Sequence, residues 1–393
     1  MKIPTTIWAL GFVSLFMDFS SELVHSLLPI FLVSSLGASI VGVGIIEGIA
    51  EATAHIVKIF SGAISDYIGK RKVLLLLGYG LASLTKPLFP LAQNIETVFF
   101  ARFMDRIGKG IREAPRDALV ADVAPKEIRG ACFGLRQSMD TIGAILGPIA
   151  AILLMLIFTN DVRLVLWFAA IPAIAAMLII VFKVKEPKKE EKEHDFKIPI
   201  NFSIIKNFSK QFWFVVILGA IFMLARFSEA FLVLKASEVG FEATWVPLVM
   251  VVMALTYTIF AYPIGKLSDR VKREYMLIVG LIILILADFT LANAKSNIAV
   301  LIGTAIWGIH MGFTQGVLAT LIADYSPKEY NGTAFGIFNF VSGISMLIAS
   351  IIAGVVWQEF GSYMTFYAGG IFALISLVMV YINIKMKNNL QNK

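Results

Sequence analysis

Asp18, Glu22 and His25 lie four and three residues apart, and Glu47, Glu51, His55 and Lys58 lie four, four and three apart. At the helical repeat, each set falls on one face of a helix. Arg102, Asp105, Arg106, Lys109, Arg112 and Arg116 form a third stripe with similar spacing, and Arg136 and Asp140 follow it. Arg226 and Glu229, then Asp288 and His310, are sparser charges further on. All sit among apolar residues, where an ionisable group is expensive and tends to face a protein interior or a cavity. Three chemistries fit. Asp18, Glu22, Glu47, Glu51 and Asp105 are candidate proton carriers, because a desolvated carboxylate can load and release a proton. Arg102, Arg106, Lys109 and Arg112 are candidate ligand-binding residues, offering charge-assisted hydrogen bonds to a carboxylate, phosphate or hydroxamate, and Arg226 and Glu229 are further substrate-binding candidates. Glu22, His25, Glu51 and His55 form an alternative nitrogen and oxygen set for a divalent iron, manganese or zinc. The arginines nearby oppose a bare cation, so this set ranks below organic ions and no resident metal is expected. Against all three stands a plainer reading, a network of buried ion pairs that only holds helices together.

The elements that position these residues are read from the apolar runs. Hydrophobic residues are 58% of the chain and charged residues 16%, against about 25% charged in soluble domains. Runs such as 301–307, 344–357 and 371–384 sit in stretches long enough to cross about 30 Å of hydrocarbon as helices. The expected fold is an all-α membrane protein with twelve transmembrane helices. The spans are placed near 6–33, 40–62, 73–93, 96–121, 132–158, 163–183, 211–234, 243–264, 274–293, 297–322, 333–357 and 363–385. Residues 184–210, rich in Lys and Glu, read as a solvated linker between a six-helix half at 1–183 and another at 211–393. The first apolar run continues past Asp18 and Glu22 with no cleavage site, so no signal peptide is expected. Cys132 is the one cysteine, which excludes an internal disulfide framework and a cysteine metal site.

The net charge of +7 reads as topology rather than as a nucleic-acid footprint. Lys70, Arg71, Lys72, Lys126, Arg129, the linker, Lys266, Arg270, Lys272, Arg273 and Lys328 fall in alternate loops, whereas the other loops hold few basic residues, Arg163, Lys235 and Lys295. The positive-inside rule then puts both termini and the linker in the cytoplasm. The halves also repeat. Ala121, Asp122, Pro125, Lys126, Glu127, Gly130, Phe133 and Gly134 recur 202 residues later as Ala323, Asp324, Pro327, Lys328, Glu329, Gly332, Phe335 and Gly336. Gly62 and Asp66 recur as Gly265 and Asp269. A parallel duplication of six spans, related by a pseudo-twofold, suits an alternating-access transporter with its substrate site between the halves.

These motifs resemble the major facilitator superfamily. Gly62, Asp66, Gly69, Lys70, Arg71 and Lys72 look like its G-x-x-x-D-R-x-G-R-K/R element, with Tyr67 in place of the first arginine. The second copy keeps Gly265, Asp269 and Arg270 but loses the second glycine. The resemblance implies a gate. Gly62 and Gly265 are expected to let helices approach closely, and each aspartate to latch a helix N-terminus or an arginine. Gly143, Gly147 and Pro148 are similar to the G-x-x-x-G-P element of drug/proton antiporters, placing two glycines on one face and a bend point beside them. Span 4 departs from the drug exporters, because Arg106 stands where a glycine is usual. It is similar to a prokaryotic branch that includes siderophore exporters.

The chain carries no Walker loop, G-x-S-x-G elbow, dinucleotide fingerprint or H-E-x-x-H motif, so neither ATP hydrolysis nor a cofactor is expected. The reading is a proton-coupled exporter of a small amphiphilic or anionic organic compound, acting as a monomer in the inner membrane of a prokaryote. Its partners are that small molecule, protons and the lipid bilayer. The alternatives are proton-coupled uptake of an organic anion and transport of a divalent metal such as iron. An intramembrane transferase is a remote alternative that leaves the repeat unexplained.

Overall fold

The structure is a computed structural model describing residues 2–187, 206, 208–268, 270–327 and 330–391. Most of the expected linker lies outside the described residues, as do Asp269 and Lys328.

Among the described residues, eleven helical stretches are long and apolar enough to cross a membrane. They are Thr5–Ser35 (span 1), Ile40–Ile68 (span 2), Arg71–Leu91 (span 3), Lys126–Ile157 (span 5), Val162–Lys183 (span 6), Lys210–Val239 (span 7), Leu248–Leu267 (span 8), Arg273–Ala292 (span 9), Asn297–Tyr325 (span 10), Asn331–Phe360 (span 11) and Ser362–Lys385 (span 12). The helix Ile95–Val123 is span 4 and makes the twelfth. Its charged stripe is what keeps it off the apolar set, and buried Arg102, Asp105, Arg106, Arg112 and Arg116 point those charges inward. Helices suit this sequence because hydrocarbon offers the backbone no partners, so each segment has to satisfy its own N–H and C=O groups. Polar caps mark several starts. Asn94 accepts from the Thr97 N–H at span 4, Ser209 from Phe212 at span 7 and Ser296 from Ala299 at span 10.

The described residues fall into two compact units, one drawn from Met1–Ala38, Ile49–Pro199 and Ala243–Leu248, the other from Ser39–Gly48, Ile200–Glu242 and Val249–Lys393. In the first, span 1 packs on spans 5 and 6, and span 3 on spans 4 and 6. In the second, span 7 packs on spans 11 and 12, and span 9 on spans 10 and 12. The pairing repeats with each number raised by six, as the sequence repeat leads one to expect.

Glycines set the closest of these seams. A Cβ on Gly147 would lie 2.6 Å from the Phe19 carbonyl oxygen, and one on Gly143 would overlap that of Leu15, so span 5 lies directly on the backbone of span 1. Gly78 and Gly108 do the same for spans 3 and 4, with Cβ positions 2.7 and 2.6 Å from each other's carbonyl oxygens. The apolar core beneath is filled by Leu10, Val13, Leu75, Tyr79, Leu119 and Ile180.

Three spans are broken where their sequence carries charge or glycine. Span 3 is interrupted at Lys86 and Pro87. Span 7, expected as continuous over 211–234, stops at Ala225 and restarts at Ala230. There the Ser228 N–H donates to Ser350 Oγ at 3.2 Å and the Ala230 N–H to Ser228 Oγ at 3.2 Å. Span 10 breaks at Gly316, whose φ of 100° lies in the region that favours glycine.

Candidate functional site

Span 4 presents successive turns of its charged stripe to spans 2 and 3. Its approach to span 2 is set by Gly110, where a Cβ would lie 2.6 Å from Val57 Cβ, and by Ser61 Oγ donating to the Gly110 carbonyl at 2.7 Å. At that seam Glu51 Oε1 lies 3.2 Å from Arg106 Nη2 and 3.9 Å from Arg102 Nη2. The side chain of Arg102 is 1% exposed. His55 Nδ1 sits 3.0 Å from the Glu51 carbonyl oxygen. One turn on, Lys58 Nζ meets Glu113 Oε2 at 2.9 Å, and Lys109 Nζ approaches Glu113 Oε1 at 4.0 Å.

The other face of span 4 meets spans 1 and 3. Lys86 Nζ donates to Asp105 Oδ1 at 2.9 Å and to Ser21 Oγ at 3.2 Å. Both side chains of the ion pair are almost sealed, at 1% and 3% exposure. Arg112 lies over the Tyr79 ring, 4.7 Å from its centroid, a cation–π contact. Arg116 and Arg136 share Asp140, at 3.7 and 3.4 Å. Asp18 and Glu22 lie on span 1 of the same unit, and Glu22 Oε2 is 3.3 Å from His25 Nδ1.

The stripes therefore resolve into separate clusters. Glu51, Arg102 and Arg106 come together. Asp105 turns instead to Lys86. Glu47, fully buried, lies in the stretch of span 2 that belongs with the second unit. Arg226 and Glu229 bracket the break in span 7. The alternative metal set does not converge. Glu22 and His25 pair with each other while Glu51 faces arginines, and among the described residues no group of three or more His, Cys, Asp or Glu is arranged to hold a metal.

Lys86 is absent from the charge stripes read above. Its signal was available: a lysine well inside the apolar run of span 3, beside Pro87. Glu113 is absent from those stripes too, and its pairing with Lys58 needs the fold.

At the ends of spans 2 and 3, Arg71 ties three acceptors together. Its Nη1 lies 3.1 Å from Asp66 Oδ1 and 3.1 Å from Ser65 Oγ, and its Nε lies 2.6 Å from Asp122 Oδ2. Its backbone N–H donates to Glu186 Oε1 at 2.5 Å. The turn before it needs Gly69, at φ 68°. The second unit repeats the latch, with Arg273 paired to Asp324, each 202 residues beyond Arg71 and Asp122. Asp269 lies outside the described residues, and Arg270 is exposed. One expectation is corrected. Gly62 and Gly265 do not mediate close helix approach here: a Cβ at Gly62 would meet Ala114 at an ordinary 3.5 Å, and one at Gly265 would meet nothing within 4 Å. Gly110 has that role in the first unit. Gly143 and Gly147 do sit at a tight seam, and the helix continues through Pro148.

Comparison with known proteins agrees with this layout. The family model of the Major Facilitator Superfamily matches residues 10–246 and 228–393. An uncharacterised MFS-type transporter of Methanocaldococcus jannaschii is 31% identical over 389 residues, 97% of this chain and 96% of the relative. Multidrug resistance protein 1 of Bacillus subtilis is 23% identical over 348 residues, 86% of each chain. A solved structure of the nucleoside transporter NupG, 14% identical, superposes with a TM-score of 0.79 over 97% of this chain and 99% of that one.

Proposed function

This chain belongs to the Major Facilitator Superfamily, and from that premise we propose how it works as a secondary transporter. It exports a small amphiphilic organic compound in exchange for protons, by alternating access of a half at 1–183 and a half at 211–393 about the linker 184–210. The observation that carries this reading is Glu51 held 3.2 Å from Arg106 inside the first unit. That pair is a switch with two inputs. A proton on Glu51 removes the charge that holds Arg106, and a ligand charge on either member does the same. A relative named for multidrug resistance supports export of amphiphiles.

The same pair favours a second reading, proton-coupled uptake of an organic anion. An anion that binds Arg106 is helped by a proton on Glu51, so the two travel together. A ligand group that binds Glu51 competes with the proton, so the two travel in opposite directions. Asp18, Glu22 and Glu47 remain further proton-carrier candidates in this scheme, and Lys109, Arg112, Arg226 and Glu229 further ligand contacts. Arg71 with Asp66 and Asp122, and Arg273 with Asp324, are cytoplasmic latches.

Purified protein in liposomes tests the function. An amphiphile panel screened by thermal shift selects a compound, and its counterflow is then measured with and without a pH gradient. Export requires that internal substrate leave faster when the outside is acidic. Acceleration of entry by external acid would establish uptake instead, and counterflow indifferent to any gradient would remove proton coupling. Orientation is tested in cells. From the basic loops, both termini and the linker are cytoplasmic, so a linker cysteine in a Cys132→Ser background should resist an impermeant thiol reagent added outside. Prompt labelling would reverse the topology.

A further inference from the structure

The second unit holds a buried carboxyl that the switch above does not use. Asp288, on span 9, is 1% exposed. Neither of its oxygens has a hydrogen-bond partner among the described residues. Spans 7, 9 and 12 converge there on Gly369. A Cβ at Gly369 would lie 3.0 Å from Asp288 Oδ2, 2.9 Å from Phe227 Cε1 and 3.5 Å from the Ala225 carbonyl oxygen. The surroundings are aromatic. Phe227 packs on Trp307 and Phe366, with ring centroids 5.4 and 5.6 Å away. On the packed elements, the titratable or charged groups near this depth are His310 on span 10, Arg226 and Glu229 at the break in span 7, and Tyr367 on span 12. None donates a hydrogen bond to Asp288, and Tyr367 Oη instead meets Asn293 Nδ2 at 3.0 Å.

An ionised carboxylate without a partner in such a place carries a large desolvation penalty. Little room exists for a ligand of any size, since the space a side chain at Gly369 would use is already taken. A metal cation wants several oxygen ligands, and aromatic rings supply none. A proton adds no volume and removes the charge.

We propose that Asp288 is a second proton-binding site of this transporter, loaded when spans 7, 9, 10 and 12 pack around it and emptied when that packing opens to water. Loss of the proton leaves a charge that the closed packing does not tolerate, so protonation and the shape of this unit are linked. The inference rests on the proton-coupled reading and extends it to the second half, where no carboxylate is otherwise assigned to proton transfer.

Infrared difference spectroscopy on the full-length protein in detergent tests it, with the proton as the only ligand added. The acid-minus-alkaline spectrum of the wild type should contain the carbonyl stretch of a protonated carboxylic acid. Asp288→Asn, isosteric with the neutral acid, should lose that band, and Asp288→Glu should shift it. The two variants guard against one failing to fold. Identical difference spectra in wild type and both variants would overturn the proposal, because Asp288 would then hold or lack its proton permanently. Failure of proton-coupled transport is read separately, in liposomes with the wild type. A coupled wild type with an unchanged Asp288→Asn spectrum sinks this inference alone.

Discussion

Asp105→Asn should destabilise the folded protein by about 3–5 kcal/mol, because it leaves the Lys86 ammonium unpaired in a low-dielectric interior. The pair is a direct contact of 2.9 Å between side chains 1% and 3% exposed, so solvent offers little screening. Lys86 Nζ also donates to Ser21 Oγ at 3.2 Å, and a neutral hydroxyl cannot replace a carboxylate. Lys86 also stands at the interruption of span 3, beside Pro87, so loss of its partner frees both a charge and a helix break. The converse variant, Lys86→Met, should be as damaging. Replacing both at once, with Lys86→Met and Asp105→Leu, should recover most of the loss, since well-packed apolar pairs often match or exceed buried ion pairs. Melting temperature in detergent and the monodisperse yield measure this. An Asp105→Asn protein that melts with the wild type would show that the pair is not structural, and would return Asp105 to the proton carriers.

That contrast between Asp105 and Glu51 marks how far the sequence can be read. Twelve spans, the duplication and the inward charges follow from apolar run length and from the cost of charge in hydrocarbon. The repeat even foreshadowed the second latch, because Asp122 and Asp324 were matched at the offset that pairs Arg71 with Arg273. Which charge meets which was not legible. Asp105 and Arg106 are neighbours in the chain but differ by about 100° around a helix, enough to send one to Lys86 on span 3 and the other to Glu51 on span 2. Breaks in the spans were hidden for a related reason. Arg226 and Glu229 put charge into the run of span 7, but the hydrogen bond from Ser228 to Ser350 that satisfies an N–H at the interruption is tertiary and needs the fold. The glycine reading failed where a motif stood in for geometry: Gly62 carries the family pattern, whereas Gly110 carries the contact.

Glu51→Gln should give a folded transporter that exchanges substrate for substrate yet no longer accumulates it against a gradient. The stability cost is smaller than at Asp105, since the Glu51 side chain is 18% exposed where that of Asp105 is 3%. Gln also matches the protonated carboxyl in shape and charge, so the variant is fixed in the proton-loaded form of the switch. The pH dependence of exchange should therefore flatten. The direction of the affinity change separates the two readings of substrate. A compound that binds Arg106 as an anion should bind Glu51→Gln at least as well as wild type, because the competing carboxylate has gone. A compound that needs the Glu51 charge should bind it worse. Arg106→Ala completes the test. Losing a charge-assisted hydrogen bond costs about 1.5–3 kcal/mol, so an anionic substrate should bind roughly 10- to 100-fold more weakly, in counterflow as well as in driven transport. Each variant is measured in both assays beside its melting temperature. Full gradient-driven accumulation by Glu51→Gln would remove Glu51 from coupling. Normal binding by Arg106→Ala would leave the basic stripe of span 4 as helix-to-helix pairing, and the anionic substrate would go with it.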